Sequence, residues 1–141
     1  MQDKICFTVP GKPKGKDRPR FNTKTKHTYK TSSTRAYEND VKRVAKKFFD
    51  NEHAETEKPV KVEIKAFYAI PKSTSKKMRE AMLDKKIIPT IKPDCDNIAK
   101  VILDSINGIA YKDDKQVADL KVEKFYSDVP RVEVSIYYGG E

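Results

Sequence analysis

The sequence predicts one α+β domain over residues 1–141, with a mixed β-sheet packed against helices. Apolar side chains alternate in PVKVEIKAFYAIP (59–71) and RVEVSIYY (131–138), which indicates strands with one buried face. Helical spacing of apolar residues at about 35–50 and again at 94–108 indicates two amphipathic helices. A chain of 141 residues can bury a core of its own.

The first half of the chain begins with KICFTVP (4–10), which alternates loosely and is expected to form a strand. Residues 10–34 are basic and contain proline, glycine, serine and threonine, a mixture that favours a loop or loose hairpin over a helix. The helix expected at about 35–50 follows, with Ser and Thr residues available to cap it. The alternating segment 59–71 then supplies a strand.

The second half contains a short amphipathic pattern, SKKMREAMLDKK (75–86), followed by the stronger helix DCDNIAKVILDSING (94–108). On a helical wheel the stronger helix separates an apolar side from a charged side, with Leu103 as an apolar exception near the charged stripe. The apolar side is Ile98, Val101, Ile102 and Ile106, and the charged side is Asp96, Lys100 and Asp104. QVADLKVEKFYS (116–127) and RVEVSIYY are expected to form a terminal hairpin.

Positive charge is concentrated at the start of the chain. The net charge is +9, and residues 1–36 account for +8 of it, with ten Lys and Arg against Asp3 and Asp17. A flexible cationic segment suits a phosphate lattice, where neutralised charge and released counterions supply affinity. A solubilising basic tail is the alternative, and the internal DRPRF favours nucleic acid. Phe21 and Tyr29 either stack on bases or anchor this segment to the core, and anchoring is the favoured interpretation.

Other classes of protein fit the sequence poorly. No apolar run approaches the ~20 residues that cross a bilayer, and the first residues have no signal-peptide pattern, so a cytoplasmic location is expected. Cys6 and Cys95 predict no disulfide framework, and with His27 and His53 they provide no zinc spacing. A nucleophilic role for Cys95 is improbable, because neither histidine is near it in sequence.

Five aspartates occur between residues 92 and 116, and Asp94 and Asp96 straddle the expected start of the second strong helix. One of them is explained as an N-cap that suits the positive end of the helix dipole. Two, followed by Asp113 and Asp114, exceed that explanation. A calcium loop is excluded, because Ile98 stands where such a loop has an oxygen ligand.

The remaining interpretation is a metal site built from carboxylates, which favours magnesium, manganese or calcium. The chain has to double back after the helix to bring Asp114 beside Asp94. Lys100, one turn after Asp96, either pairs with Asp96 or Asp104 or reaches a phosphate. Metal, lysine and basic loop together suggest phosphodiester hydrolysis.

These residues also resemble a known family. KPDCDNIAKVILDSINGIAYKDDKQVADLKVEK (92–124) is similar to the signature of RusA-type Holliday junction resolvases, and GKDRPRF, TYK and TRAYENDV resemble that family's basic N-terminal segment. The resemblance covers most of the chain in order, although residues 71–91 carry little of it. It implies a RusA-like fold and a magnesium-dependent endodeoxyribonuclease, with manganese as a substitute ion.

The resemblance also implies roles for individual residues. Asp94, Asp96 and Asp114 would bind the metal, and Lys100 would assist catalysis. Asp104 and Asp113 would support the site. The residues that would hold DNA are Lys14, Lys16, Arg18 and Arg20.

The resemblance further implies a homodimer that nicks two opposed strands of a four-way junction in DNA recombination and repair, with no organic cofactor and no membrane partner. Two alternatives remain open. The first is a nuclease that acts on flaps or replication forks. The second is a DNA-binding protein whose acidic cluster is structural and which has no catalytic activity.

Overall fold

The computed structural model describes residues 3–16 and 20–139 of the chain. Its strands and helices appear in the following order: β1 (Lys4–Pro10), β2 (Arg20–Asn22), β3 (His27–Tyr29), α1 (Ser32–Ala45), α2 (Asn51–Glu55), β4 (Val60–Ala69), α3 (Lys76–Leu83), α4 (Cys95–Ile106), a 3₁₀ turn (Asp114–Gln116), β5 (Val117–Ser127) and β6 (Arg131–Tyr137). The predicted α+β class with a mixed sheet is confirmed.

The main sheet has four strands in the order β1-β6-β4-β5. β6 lies between β1 and β4 and is antiparallel to both, whereas β5 is parallel to β4 and forms an edge of the sheet. The predicted terminal hairpin is therefore wrong, because β5 and β6 lie on opposite sides of β4. The chain from β4 to β5 passes through α3 and α4, which is the helical crossover that parallel strands require.

One face of this sheet and the two longer helices form the core. α1 packs on β1 and α4, and α4 packs on β5. The predicted apolar side of α4 is confirmed, because Ile98, Val101, Ile102 and Ile106 have no exposed side-chain surface. Its charged side faces outward, and Leu103 is partly buried against the core.

The first helix differs from its predicted bounds. α1 begins at Ser32, because the Thr31 hydroxyl accepts a hydrogen bond from the Thr34 backbone N–H and caps the helix earlier than expected. It ends at Ala45, and a separate helix, α2, begins after Asp50, whose carboxylate accepts from the His53 N–H. The predicted helix to residue 50 thus consists of one helix, a turn and the cap of a second.

The basic N-terminal segment contains a small antiparallel hairpin of β2 and β3, as the loop-or-hairpin prediction allowed. Phe21 and Tyr29 on these strands are 57% and 46% exposed. The favoured interpretation that they anchor the segment to the core is therefore wrong. Arg18 lies outside the described residues, as does the side chain of Arg20.

None of the helices in residues 3–16 and 20–139 is both long enough and apolar enough to cross a membrane.

Candidate metal and nucleic-acid site

The start of α4 carries two exposed carboxylates, Asp94 and Asp96. Asp94 occupies the N-cap position, yet its side chain makes no capping hydrogen bond. The cap residues of the three other α-helices, Thr31, Asp50 and Ser75, each accept a backbone N–H with their side chains. Capping therefore does not explain Asp94, because its carboxylate satisfies none of the free backbone N–H groups at the helix start.

The segment before α4 is held on the sheet by three contacts. The Tyr68 hydroxyl donates to the carbonyl of Pro93 at 2.6 Å, and the Lys124 ammonium donates to the carbonyl of Ile91 at 2.5 Å. The Cys95 thiol lies 3.9 Å from the carbonyl oxygen of Val122 on β5. Burial raises the pKa of Tyr68, so its hydroxyl remains a donor. These contacts hold the start of α4 and the segment before it against β4 and β5.

A basic strap, residues 12–16, lies against α4. A Cβ placed on Gly15 would come within 2.8 Å of the Pro93 Cβ and 3.0 Å of the Asn97 Cβ, so the strap backbone touches the start of the helix. A cleft of about 390 Å³ opens between the strap and the helix. Its lining combines cationic and carboxylate side chains and consists of Pro13, Lys14, Gly15, Lys16, Lys92, Pro93, Asp94 and Asn97.

Among the described residues, the charged side chains of α4 do not form i,i+4 ion pairs with one another. Asp104 pairs with Lys16 of the strap, and this contact fastens the strap to the second half of the helix. Over the described ranges, no ion pair joins Lys100 to Asp96 or Asp104. Lys100 is exposed, so its ammonium is available to a ligand that approaches this face of α4.

The second group of carboxylates lies in the 3₁₀ turn after α4. The Asp113 carboxylate accepts the Lys115 N–H at 3.1 Å, and the Asp113 N–H donates to the Gln116 side-chain oxygen at 2.8 Å. The backbone bond from Lys115 lowers the pKa of Asp113. The pKa of Asp114 is raised by burial first and then by the neighbouring carboxylates of Asp113 and Asp104.

The two groups of carboxylates lie at opposite ends of α4. Asp114 is close to Asp104, whereas Asp94 lies ten residues before Asp104, an axial distance of about 15 Å in a helix. The segment that follows α4 thus places Asp114 near the C-terminal end of this helix, whereas Asp94 is at its N-terminal end. Within the part of the chain that the structure describes, no three His, Cys, Asp or Glu side chains are close enough to share a metal ion. The oxygen donors suit a hard divalent ion, but one chain does not gather all three predicted ligands, whose assignment stays a prediction.

Sequence reasoning missed several residues of this site. Lys92 and Asn97 line the cleft, and Tyr68 and Lys124 hold the segment that precedes α4. The only sequence signal for Lys92 and Asn97 was their position beside the two aspartates. Tyr68 and Lys124 gave no signal, because they belong to strands that meet this segment only in the folded chain.

Comparison with known proteins gives two findings. The family model described as "Endodeoxyribonuclease RusA" matches residues 10–137. The chain is also similar to a Bacillus subtilis (strain 168) protein described as "Uncharacterized protein YqaN". The two are 40% identical over 140 residues, which cover 95% of this chain and 96% of that protein.

Proposed function

Because the chain belongs to the RusA endodeoxyribonuclease family, we propose that it is a structure-specific DNA endonuclease that resolves four-way junctions by paired nicking. It acts as a homodimer in the cytoplasm, in DNA recombination and repair. Residues 1–141 work as one endonuclease unit, in which residues 10–34 bind DNA. The reaction depends on Mg²⁺, for which Mn²⁺ substitutes.

One observation supports this proposal most strongly. The Asp94 side chain stands at a helix start without capping it, with Asp96 in the first turn and the cationic cleft beside it. A purely structural acidic cluster would satisfy the helix end, as Asp50 does for α2. Carboxylates left exposed beside a basic cleft suit a site that receives a cation and a DNA strand together.

The residues then have separate roles. Asp94, Asp96 and Asp114 would hold the metal, and Asp104 and Asp113 would support them. A divalent ion bound there would supply neutralisation of the phosphate charge and a lowered pKa for a bound water. Lys100 assists at the reacting phosphate.

The contacts with DNA come from the basic segment. Lys14, Lys16, Arg18 and Arg20 hold the strand through its phosphates. In the chain without DNA, the Lys16 ammonium pairs with the Asp104 carboxylate. When DNA binds, Lys16 leaves Asp104 and pairs with a phosphate instead. Lys92 lines the same cleft from the α4 side and opposes the strap across the bound strand.

The test compares wild type and Asp96→Asn on four-way, flap and linear duplex DNA, with and without Mg²⁺. We expect wild type to cut the four-way junction only with Mg²⁺, and Asp96→Asn to bind that junction without cutting it. Asp40→Asn, which removes an exposed carboxylate of α1 paired with Arg43, is the matched control and should cut normally.

The outcomes separate the competing functions. Preferred cutting of flap DNA would replace junction resolution with flap cleavage. No cutting by wild type in either Mg²⁺ or Mn²⁺ would favour a DNA-binding protein without catalysis. Normal cutting by Asp96→Asn would remove this carboxylate from the metal site.

A further inference from the structure

A second cavity adjoins the cleft between the basic strap and α4. It has a volume of about 220 Å³ and shares three lining residues with the cleft, namely Pro13, Lys92 and Pro93. The two spaces are therefore neighbours along the strap and the segment before α4. A DNA strand whose phosphate lies in the cleft has an adjacent base within reach of the second cavity.

The lining of the second cavity differs in chemistry from that of the cleft. Most of its residues present apolar surface: Pro13, Tyr68, Ala69, Ile91 and Pro93. The other two, Lys12 and Lys92, are exposed lysines. Lysines attract the phosphates of a strand, and an apolar wall accepts the flat face of a base, so the two kinds of lining together suit a nucleotide.

The polar groups of the apolar wall already have partners. The Tyr68 hydroxyl donates to the carbonyl of Pro93, and the Lys124 ammonium donates to the carbonyl of Ile91. Pro13 and Pro93 have no backbone N–H. The wall therefore favours a ligand that is held by contact with its ring rather than one that is read by hydrogen bonds.

Ile91 gives this wall its largest exposed apolar side chain. The isoleucine is 54% exposed, and a ligand that covers it removes apolar surface from water. A volume of about 220 Å³ is smaller than the ~300–1,000 Å³ of pockets that take drug-sized ligands. The cavity therefore suits a single base better than a larger organic molecule.

A base within a continuous duplex does not reach such a cavity, because it is paired and stacked between two neighbours. Moving a base out of the stack costs free energy, and the cost is least where the base is already unpaired or poorly stacked. A base pair at a branch point lacks the continuous stack of a duplex on one side. A cavity that receives a base therefore favours branched DNA over linear duplex.

We propose that the second cavity binds one base of a nucleotide whose phosphate lies in the cleft, and that this contact favours DNA in which a base can leave its stack. This inference rests on the proposed function and adds a source for its preference for branched DNA. Ile91 is the specificity residue, and it takes no part in hydrolysis.

The first test measures whether Ile91 and a base depend on each other. Wild type and Ile91→Ala are bound, in EDTA, to four-way junctions that carry an abasic nucleotide at each position around the branch point in turn. At one position we expect loss of the base to weaken wild-type binding about fivefold. Ile91→Ala should bind that abasic junction and the intact junction equally, and should bind linear duplex as wild type does.

Ile88→Ala is the matched control, because Ile88 is 45% exposed and lies outside the cavity lining. This variant should distinguish the intact from the abasic junction as wild type does. If Ile91→Ala distinguishes the two junctions as strongly as wild type at every position, no base contacts Ile91, and the cavity is not a base site.

The second test follows the base itself. 2-Aminopurine at the position found in the first test fluoresces more strongly when it leaves the stack, and the chain has no tryptophan to add background. Wild type and Ile88→Ala should raise this fluorescence on binding. Ala69→Leu, which places a larger side chain at the exposed wall of the cavity, should not. Equal fluorescence with wild type and Ala69→Leu would overturn the cavity as the place where the base lies.

Cleavage in Mg²⁺ is measured separately on the same junctions. A wild type that cuts the four-way junction but shows no dependence between Ile91 and a base would overturn the base cavity and leave the proposed nuclease intact. A wild type that shows this dependence but cuts no DNA would overturn the nuclease and leave the base cavity intact.

Discussion

Gly15 is the residue at which the basic strap touches the acidic helix. Because Gly15 has no side chain, the strap backbone lies closer to Pro93 and Asn97 than a residue with a Cβ could. The lysines on either side of it line the cleft. The position of these lysines relative to Asp94 therefore depends on a glycine that has neither a charge nor a side chain.

We predict that Gly15→Ala weakens four-way junction binding about tenfold, which corresponds to roughly 1.4 kcal/mol. The added methyl group pushes the strap away from α4 and separates Lys14 and Lys16 from the carboxylates. Fluorescence anisotropy with a labelled junction measures the change. Gly108→Ala is the control: Gly108 has a φ of +79° and open space around it, so that variant should lose stability and keep its affinity. Equal affinities for Gly15→Ala and wild type would show that the strap contact is unimportant for binding.

For individual residues, the sequence predicted those features of the site that depend only on neighbouring positions in the chain. Asp94 and Asp96 stood out because two carboxylates at one helix start exceed what a cap needs. The strap contact was invisible, because the closeness of Gly15 to Pro93 depends on how distant segments pack. Phe21 and Tyr29 were misjudged for a related reason: an aromatic residue in a loop has no pattern that distinguishes burial from exposure.

Among the secondary-structure elements, the 3₁₀ turn that carries Asp113 and Asp114 is joined to the segment before β4 by the side chain of Gln116. The Gln116 amide donates to the carbonyls of Thr56 and Lys58 at 2.7 and 2.9 Å. Its amide oxygen accepts the Asp113 N–H at 2.8 Å. Gln116 thereby ties the acidic turn to the segment that leads into β4.

We predict that Gln116→Ala lowers the free energy of unfolding by about 1–3 kcal/mol, the usual cost of leaving polar groups without partners. Urea unfolding followed by circular dichroism measures it. Lys115→Ala, on the exposed neighbour, should stay within about 0.5 kcal/mol of wild type. If the two variants unfold at the same urea concentration, Gln116 is not what holds the turn.

The strands also show which property of the fold a sequence pattern does not predict. Every main strand was located from its alternation, because alternation reports which side chains are buried. The pairing of the last two strands was wrong, because alternation does not say which neighbour a strand takes. A connection as short as residues 128–130 usually makes a hairpin, yet here it carries the chain across β4 to the gap beside β1.

Over the whole molecule, the asymmetry of charge is the property that matters most for DNA. The basic segment holds nearly all of the net charge of +9, and its strap lies against the acidic helix. Within one cleft, the lysines therefore attract the DNA backbone and the carboxylates repel it. A divalent ion bound to the carboxylates would remove the repulsion and favour DNA binding. This much follows from the order of charges along the sequence together with the packing of the strap.

We predict that replacing Arg18 and Arg20 together by Ala weakens junction binding and flattens its dependence on salt. Each lost phosphate contact should reduce the slope of log K against log salt by about 0.9. The matched control is Lys76→Ala with Lys77→Ala at the exposed start of α3, which removes the same charge from another surface. Identical slopes for the two double variants would mean that net charge, rather than the basic segment, determines affinity.

The position of β6 has a consequence for how the chain is made. β6 fills the gap between β1 and β4, and its register with β1 runs from Lys4 opposite Tyr137 to Pro10 opposite Arg131. During synthesis, β1 and β4 leave the ribosome long before the strand that joins them. The sheet cannot close until residues 131–137 have emerged, so a ribosome that stalls before Arg131 releases a chain with neither a continuous core nor a working nuclease.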